Sequence, residues 1–441
     1  MDLLPNEAKM FEVAPAVGSP HSGDDEAIND RYTSGEVRIV TEQARYPLTA
    51  IPGMVNSNDY ELNPEFQRRH RWNDVRKSRL IESFIMNVPI PPIFLYEARY
   101  SFYEVMDGLQ RLSAIRDFYA DEFALDGLQE WSELNGKRYS QLPAEVRKGV
   151  DRRYLSSIIL LHETAKSEEE AQRLKQLVFE RINSGGERLT PQESRNAIFP
   201  GPMNSLCIEL SRDENLRTLW HIPEADGETE EDFGRPEIEH QLGKSLFKTM
   251  GDVELVLRFF AYRQQLKSQE RLTLRDYLDT YLRRGNALPK SELQDLSQIF
   301  KSATEIVLMV FGEYALYMYK EYKGKWRYTG RPTLTVYDPL MWAVSANIDK
   351  SAELAKRSQS ARDLLKEMYK QHPQSFSGRT AERPDIENRN KLFLDLIEKI
   401  LQSPPDPEGV VSSIPETDTE ALEIGDAGTE GSQYPAGWAS S

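Results

Sequence analysis

Phe102-Tyr103-Glu104-Val105-Met106-Asp107-Gly108-Leu109-Gln110-Arg111-Leu112 is the stretch on which the fold turns. Phe102 to Met106 has the aromatic and β-branched content of a strand. At Asp107-Gly108 the pattern changes: Leu112, Ile115 and Tyr119 recur at helical spacing. A strand that passes through one glycine into a helix is the building unit of a mixed α/β domain. The junction also has a chemistry of its own. Glycine permits the tight turn, and the first helical N–H groups lack intrahelical partners, so with the positive helix end they suit a phosphate. Arg111, in the first turn, can add a bidentate guanidinium contact. Gln110 can bind a phosphate oxygen or orient a water. Asp107 can hold Mg²⁺ or another divalent cation, or accept a proton from an attacking water. It would repel a bare phosphate, which favours either a metal-assisted site or a carboxylate turned toward Arg111. A plain structural turn explains the same residues, because Asp-Gly is a common turn pair. The stretch is not a Walker A loop, since the Gly-Lys-Ser/Thr ending is missing.

Outward from the junction, strand and helix signals alternate. Upstream, Val37 to Val40 reads as a strand. Leu80, Ile81, Phe84 and Ile85 place a helix over residues 73–87, which Pro89, Pro91 and Pro92 end before the strand Ile93 to Tyr96. Downstream, Ser157 to Leu161 reads as a strand. Ser167 and Glu170 form a capping box for a helix with Ala171, Leu174, Leu177, Val178 and Ile182 on its apolar face. Thr190, Pro191 and Glu193 then open another helix as cap, first position and capping acid. These signals predict four parts: a flexible arm over 1–30, an α/β domain over 31–200, a helical domain over 201–402 and a disordered acidic tail over 403–441. Helical periods or helix-forming composition occur near 251–267, 273–284, 294–323, 334–348 and 350–370, with a last helix from Arg389 to Leu401. Glu224 to Glu239 reads as a surface loop.

Composition limits the function classes. The net charge of −16 over 441 residues argues against a protein that coats nucleic acid nonspecifically. Eight acids and no Lys or Arg fall within 403–441, so a local basic surface elsewhere remains open. No apolar run approaches a membrane span and no basic leader precedes one, so a cytoplasmic protein without a membrane partner is expected. Cys207 is the sole cysteine, which excludes an internal disulfide and a thiolate zinc cluster. Its apolar neighbours make it a buried small hydrophobe.

Two further polar groups can meet the junction. Gln67, Arg68, Arg69, His70 and Arg71 crowd beside Trp72, suiting phosphate contacts with an aromatic anchor, although solvated surface charge accounts for the run equally well. In Arg181-Ile182-Asn183-Ser184-Gly185-Gly186 the glycines let backbone approach a ligand, while ordinary helix termination explains the same residues.

Taken in order, four segments resemble the N-terminal domain family of GmrSD-type, modification-dependent restriction enzymes, a branch of the ParB/sulfiredoxin-like superfamily. They are Pro64-Glu65-Phe66-Gln67-Arg68 with Trp72; Leu80-Ile81-Glu82-Ser83-Phe84 leading to Pro89-Ile90-Pro91; Asp107 to Leu112; and Phe179 to Gly186 with Leu189-Thr190. The resemblance implies nucleotide-dependent DNA cleavage or nucleoside triphosphate hydrolysis in anti-phage defence. The family's central Asp-Gly-Gln-Gln-Arg motif is matched by Asp107, Gly108, Gln110 and Arg111, with Leu109 departing at the first glutamine. Gly108, Gln67, Arg68, Arg181, Asn183 and Gly185 become the implied phosphate ligands, with Asp107, Gln110 and Arg111 catalytic and Asp107 also the metal ligand. Full-length relatives often carry a C-terminal His-Asn-His nuclease; His240 and His372 stand alone here, so catalysis falls to the N-terminal domain or to a partner. DNA, a nucleotide, a second copy and another defence protein are the expected partners. A noncatalytic DNA- or nucleotide-binding sensor subunit is the alternative. A third reading makes the helical region an interaction domain, with Tyr314, Tyr317, Tyr319, Tyr322, Trp326 and Tyr328 as its surface, although core packing is the safer reading for several of them because aromatic residues carry large apolar area.

Overall fold

The computed structural model describes residues 3–11, 28–29, 39–62, 72–161, 168–182, 189–223, 237–265, 272–376 and 383–407. The chain forms two compact units, one of Ala16–Ile198 and one that joins Met1–Pro15 to Phe199–Ser441. A short helix, α1 (Pro5–Lys9), therefore lies where a loose arm was expected, and its Glu7 is fully buried. The reason is a polar anchor: the Arg263 guanidinium donates to both Glu7 carboxylate oxygens, at 3.3 and 3.2 Å.

The Ala16–Ile198 unit is mixed α/β. In chain order it contains β1 (Thr41–Pro47), α2 (Ile51–Val55), β2 (Tyr60–Glu61), α3 (Asp74–Met86), β3 (Ile93–Arg99), β4 (Phe102–Asp107), α4 (Leu109–Tyr119), α5 (Ala144–Asp151), β5 (Tyr154–Leu160), α6 (Glu168–Ile182) and α7 (Pro191–Ile198). The five strands run β1-β5-β3-β4-β2. β1–β5 and β3–β4 are antiparallel, whereas β3–β5 and β2–β4 are parallel. Alternation along β3, β4 and β5 puts Ile93, Leu95, Val105, Leu155 and Ile159 into one core, which Leu80 and Phe84 of α3 and Leu112 and Ile115 of α4 complete. Helix ends follow local chemistry. Asn73 caps α3 by accepting the Arg76 N–H at 3.0 Å, and Asn87 stops it in the left-handed region at φ 60°. At α7 the Glu193 N–H donates to the Thr190 hydroxyl at 3.2 Å while the Thr190 N–H donates to the Glu193 carboxylate at 2.7 Å. The described first strand is Thr41–Pro47, in register with β5, and residues 39–40 of the expected strand precede it; residues 37–38 and Ser167 fall outside the described ones.

The second unit is largely helical. It contains α8 (Pro202–Leu210), α9 (Glu214–Trp220), α10 (Glu237–Lys248), α11 (Gly251–Gln265), α12 (Leu274–Gly285), α13 (Lys290–Phe311), β6 (Tyr319–Tyr322), β7 (Lys325–Tyr328), α14 (Leu334–Ser345), α15 (Ser351–Ala355), α16 (Ser358–Gln371) and α17 (Arg383–Gln402). Several expectations change: α10 begins at Glu237, inside the stretch read as a surface loop, and α17 begins at Arg383, before the helix read from Arg389. The helix read over 294–323 stops at Phe311, and the aromatic stretch that follows is a two-stranded hairpin. Lys323 and Gly324 turn it at φ 51° and 77°, a pair of positive values that matches the right-handed twist of the flanking strands. The segment over 350–370 is two helices with a break near Arg357, whose Nε donates to the Ser403 carbonyl at 2.7 Å. Cys207 is fully buried on α8, and burial alone pushes its thiol pKa up. Among the described residues no helix is long and apolar enough to cross a membrane.

Candidate functional site

Gly108 sets the geometry of the junction. It caps α4 at φ 100°, and a Cβ there would stand 2.3 Å from Ile93 Cγ2. Only glycine combines that backbone with that approach. The first intrahelical bond of α4 runs from the Leu112 N–H to the Gly108 carbonyl at 2.9 Å, so the N–H groups of residues 109–111 precede the ladder. Leu109 points away from this end. It is buried beside Leu112, Ile115 and Ile93, so the departure from the family motif falls on a packing position.

Asp107 and Arg111 meet directly. Arg111 Nη2 donates to Asp107 Oδ2 at 2.5 Å, and Nη1 donates to the Pro91 carbonyl at 3.1 Å. The left-handed turn at Gly108 and the Pro91 carbonyl before β3 thus hold the guanidinium over the helix start. Arg111's side chain is mostly buried, with 12% of it exposed, whereas Asp107's is 37% exposed, so the carboxylate is the more accessible partner. Of the two arrangements that would reconcile Asp107 with a phosphate, the structure adopts the one in which the carboxylate faces Arg111. Gln110 faces backward: its Oε1 accepts the Trp72 N–H at 3.1 Å. That bond brings the end of the Gln67–Trp72 segment to the junction.

Gln67, Arg68, Asn183 and Gly185 lie outside the described residues, as do Arg69, His70, Arg71, Ser184 and Gly186. Arg181 is exposed in the last turn of α6. Among the described residues no group of three or more His, Cys, Asp and Glu is placed to hold a metal ion.

Three features near the sheet escaped the sequence. Lys175 of α6 is buried against Glu104 of β4, with its ammonium 5.3 Å from the Tyr96 ring centre. A lysine four residues after Ala171, on the apolar stripe, was the available signal. Glu82 of α3 is buried, and its Oε1 accepts three successive N–H groups, from Gln129, Glu130 and Trp131, at 3.0, 2.9 and 3.0 Å. Across the β2–β4 pairing, Tyr60 and Tyr103 stack at 5.2 Å. Burial raises both hydroxyl pKa values, and the hydrogen bond from Tyr60 to Tyr46 adds to the first. Both rings stay neutral hydrogen-bonding groups in the physiological range.

Residues 51–200 match the family model described as GmrSD restriction endonuclease, N-terminal domain. The matched stretch contains the junction, Trp72, Glu82 and Lys175, and it leaves the helical unit unassigned. Neither the curated proteins nor the solved structures gave a match to the chain.

Proposed function

We propose that the α/β unit is a phosphohydrolase of an anti-phage restriction system, which couples nucleotide hydrolysis to DNA cleavage on a ParB/sulfiredoxin-like fold in the cytoplasm. The observation that carries this reading is the Asp107–Arg111 pair at the glycine-started end of α4, inside a segment that matches a restriction-endonuclease domain. In this reading a phosphate displaces Asp107 from Arg111 and takes the guanidinium and the N–H groups of the first turn. The released carboxylate then accepts a proton from the attacking water. A divalent cation bound with the nucleotide would be held through Asp107 and would neutralise phosphoryl charge. Gln110 acts through Trp72 as a positioning residue for the segment that carries Gln67 and Arg68, while Arg181, Asn183 and Gly185 supply further phosphate contacts.

The expected result is that Arg111→Ala lowers nucleoside triphosphate hydrolysis or DNA cleavage about 100-fold or more, and that Asp107→Asn does likewise, with both variants folded by circular dichroism. Wild-type rates in both would refute the assignment. A second reading, a noncatalytic sensor, is favoured by one observation: Asp107 and Arg111 neutralise each other across 2.5 Å, which suits a latch opened by ligand as well as it suits a catalyst. Saturable nucleotide binding without turnover by the wild-type protein would decide for the sensor.

A further inference from the structure

The hairpin of β6 and β7 sorts its side chains by charge. Register pairs Tyr319 with Tyr328, Lys320 with Arg327, Glu321 with Trp326 and Tyr322 with Lys325. Alternation then separates two faces. Tyr319, Trp326 and Tyr328 share the inner one: Tyr319 stacks on Trp326 at 5.7 Å, Tyr328 stacks on Tyr314 at 5.3 Å, and Lys366 of α16 lies 5.9 and 5.8 Å from the Tyr319 and Tyr328 ring centres. This packing fixes the ribbon on the helical unit, and burial accordingly pushes the Tyr328 hydroxyl up to about 12.

The outer face holds Lys320, Tyr322, Lys325 and Arg327. Lys320 and Arg327 stand directly opposite each other, and like charges in that position cost stability. Among the described residues no carboxylate pairs with Lys320, Lys323, Lys325 or Arg327. The Arg327 guanidinium lies 4.1 Å from the Tyr322 ring centre and the Lys323 ammonium 5.4 Å, so one half-exposed ring holds two cations at the tip. Residues 319–331 carry five basic groups against one acid, in a chain whose net charge is −16. A concentrated positive ribbon on an acidic protein is complementary to a polyanion.

We propose that this hairpin is a duplex-DNA contact, in which Lys320, Lys325 and Arg327 neutralise backbone phosphates as the ribbon enters the major groove, which is about 12 Å wide and admits a two-stranded β-ribbon. Duplex is favoured over single strand because the outer face offers three cations and a single ring, itself engaged by Arg327 and Lys323, where a single-strand site would offer successive aromatic platforms. The inference deepens the proposed function by naming the surface that holds DNA, and it rests on that reading for the choice of DNA among polyanions.

The test measures binding of a short duplex by fluorescence anisotropy at increasing salt, using the full chain. K320Q/K325Q/R327Q should weaken binding at least tenfold and reduce the salt slope by about 2 to 3, roughly one unit for each phosphate no longer neutralised. The charge-matched control K290Q/K356Q/K391Q, on exposed lysines elsewhere, should bind as the wild type does. Wild-type affinity in the hairpin variant, equal loss in the control, or a loss confined to single-stranded oligonucleotide would overturn the proposal. Nucleotide hydrolysis by the same variant separates the two ideas. An unchanged duplex affinity with Arg111-dependent hydrolysis sinks only the hairpin, whereas lost duplex affinity without any Arg111-dependent chemistry sinks only the phosphohydrolase.

Discussion

At the scale of single residues, Gly108 is where fold and site are the same requirement. Its φ of 100° is unfavourable for any side chain, and a methyl group would sit 2.3 and 2.9 Å from the Cγ2 and Cβ of Ile93. The Gly108→Ala variant should lose about 3 kcal/mol, from left-handed strain and overpacking together. Urea denaturation measures that loss, and a midpoint equal to the wild type's would mean that the turn relaxes around the methyl group at no cost. Much of this neighbourhood was legible in the linear sequence: the strand, the glycine, the helix start and the possibility that Asp107 turns toward Arg111 all follow from residue type and spacing. What the spacing did not show is which first-turn side chain faces inward. Leu109 is buried and Gln110 reaches Trp72, because the left-handed start rotates the first turn relative to the strand. A leucine that reads as a damaged motif position is thus a core residue, and the Gln110 carbonyl serves a backbone donor.

At the scale of elements, boundaries with strong caps were legible and the loops bridging them were not. Asn73 and Asn87 bracket α3, and Thr190 with Glu193 opens α7, as their types predict. The hairpin of β6 and β7 was absorbed into a helix because Tyr, Lys and Trp sit in either structure. The signal that separates them is Lys323-Gly324 between two aromatic runs, a hairpin turn that composition alone hides. Glu82 shows the converse. It stands inside a well-predicted helix, yet its partners are three N–H groups of a segment 47 to 49 residues later in the chain. Such a carboxylate replaces the ladder that the segment lacks. Hydrogen bonds to a charged acceptor contribute about 1.5–3 kcal/mol each and are not additive, so Glu82→Ala should cost about 3 kcal/mol. Hydrogen exchange should locate the damage, with the Gln129, Glu130 and Trp131 amides losing protection first. Unchanged exchange at all three would show that the segment is held by Phe123, Leu125 and Leu128 alone, which pack beneath it beside Ile81.

At the scale of the whole molecule, the helical unit is discontinuous, and its first piece is the start of the chain. Residues 3–11 belong with α11, α12 and α13. Asn6 Nδ2 donates to Glu292 Oε1 at 2.7 Å, Arg284 donates to the Met10 carbonyl at 2.8 Å, and Phe11 stacks on Tyr277 at 5.0 Å. Sequence could not reveal this. The stretch is too short to show a sustained period, and the decisive pair, Glu7 with Arg263, is separated by 256 residues. Burial makes the pair consequential, since Glu7 is 0% exposed and the Arg263 side chain 4%. The desolvation of two ions offsets much of their attraction, so an intact pair adds little net stability, whereas removing one partner strands the other charge. Glu7→Ala should therefore destabilise the chain by about 3–5 kcal/mol. The double variant E7M/R263M, which removes both charges and keeps apolar volume, should recover most of that loss. Thermal unfolding of the wild type and both variants distinguishes the causes. Recovery in the double variant assigns the cost to an uncompensated arginine. Equal loss in both assigns it to the geometry of the contact, and no loss in Glu7→Ala would show that the first residues are dispensable to the helical unit.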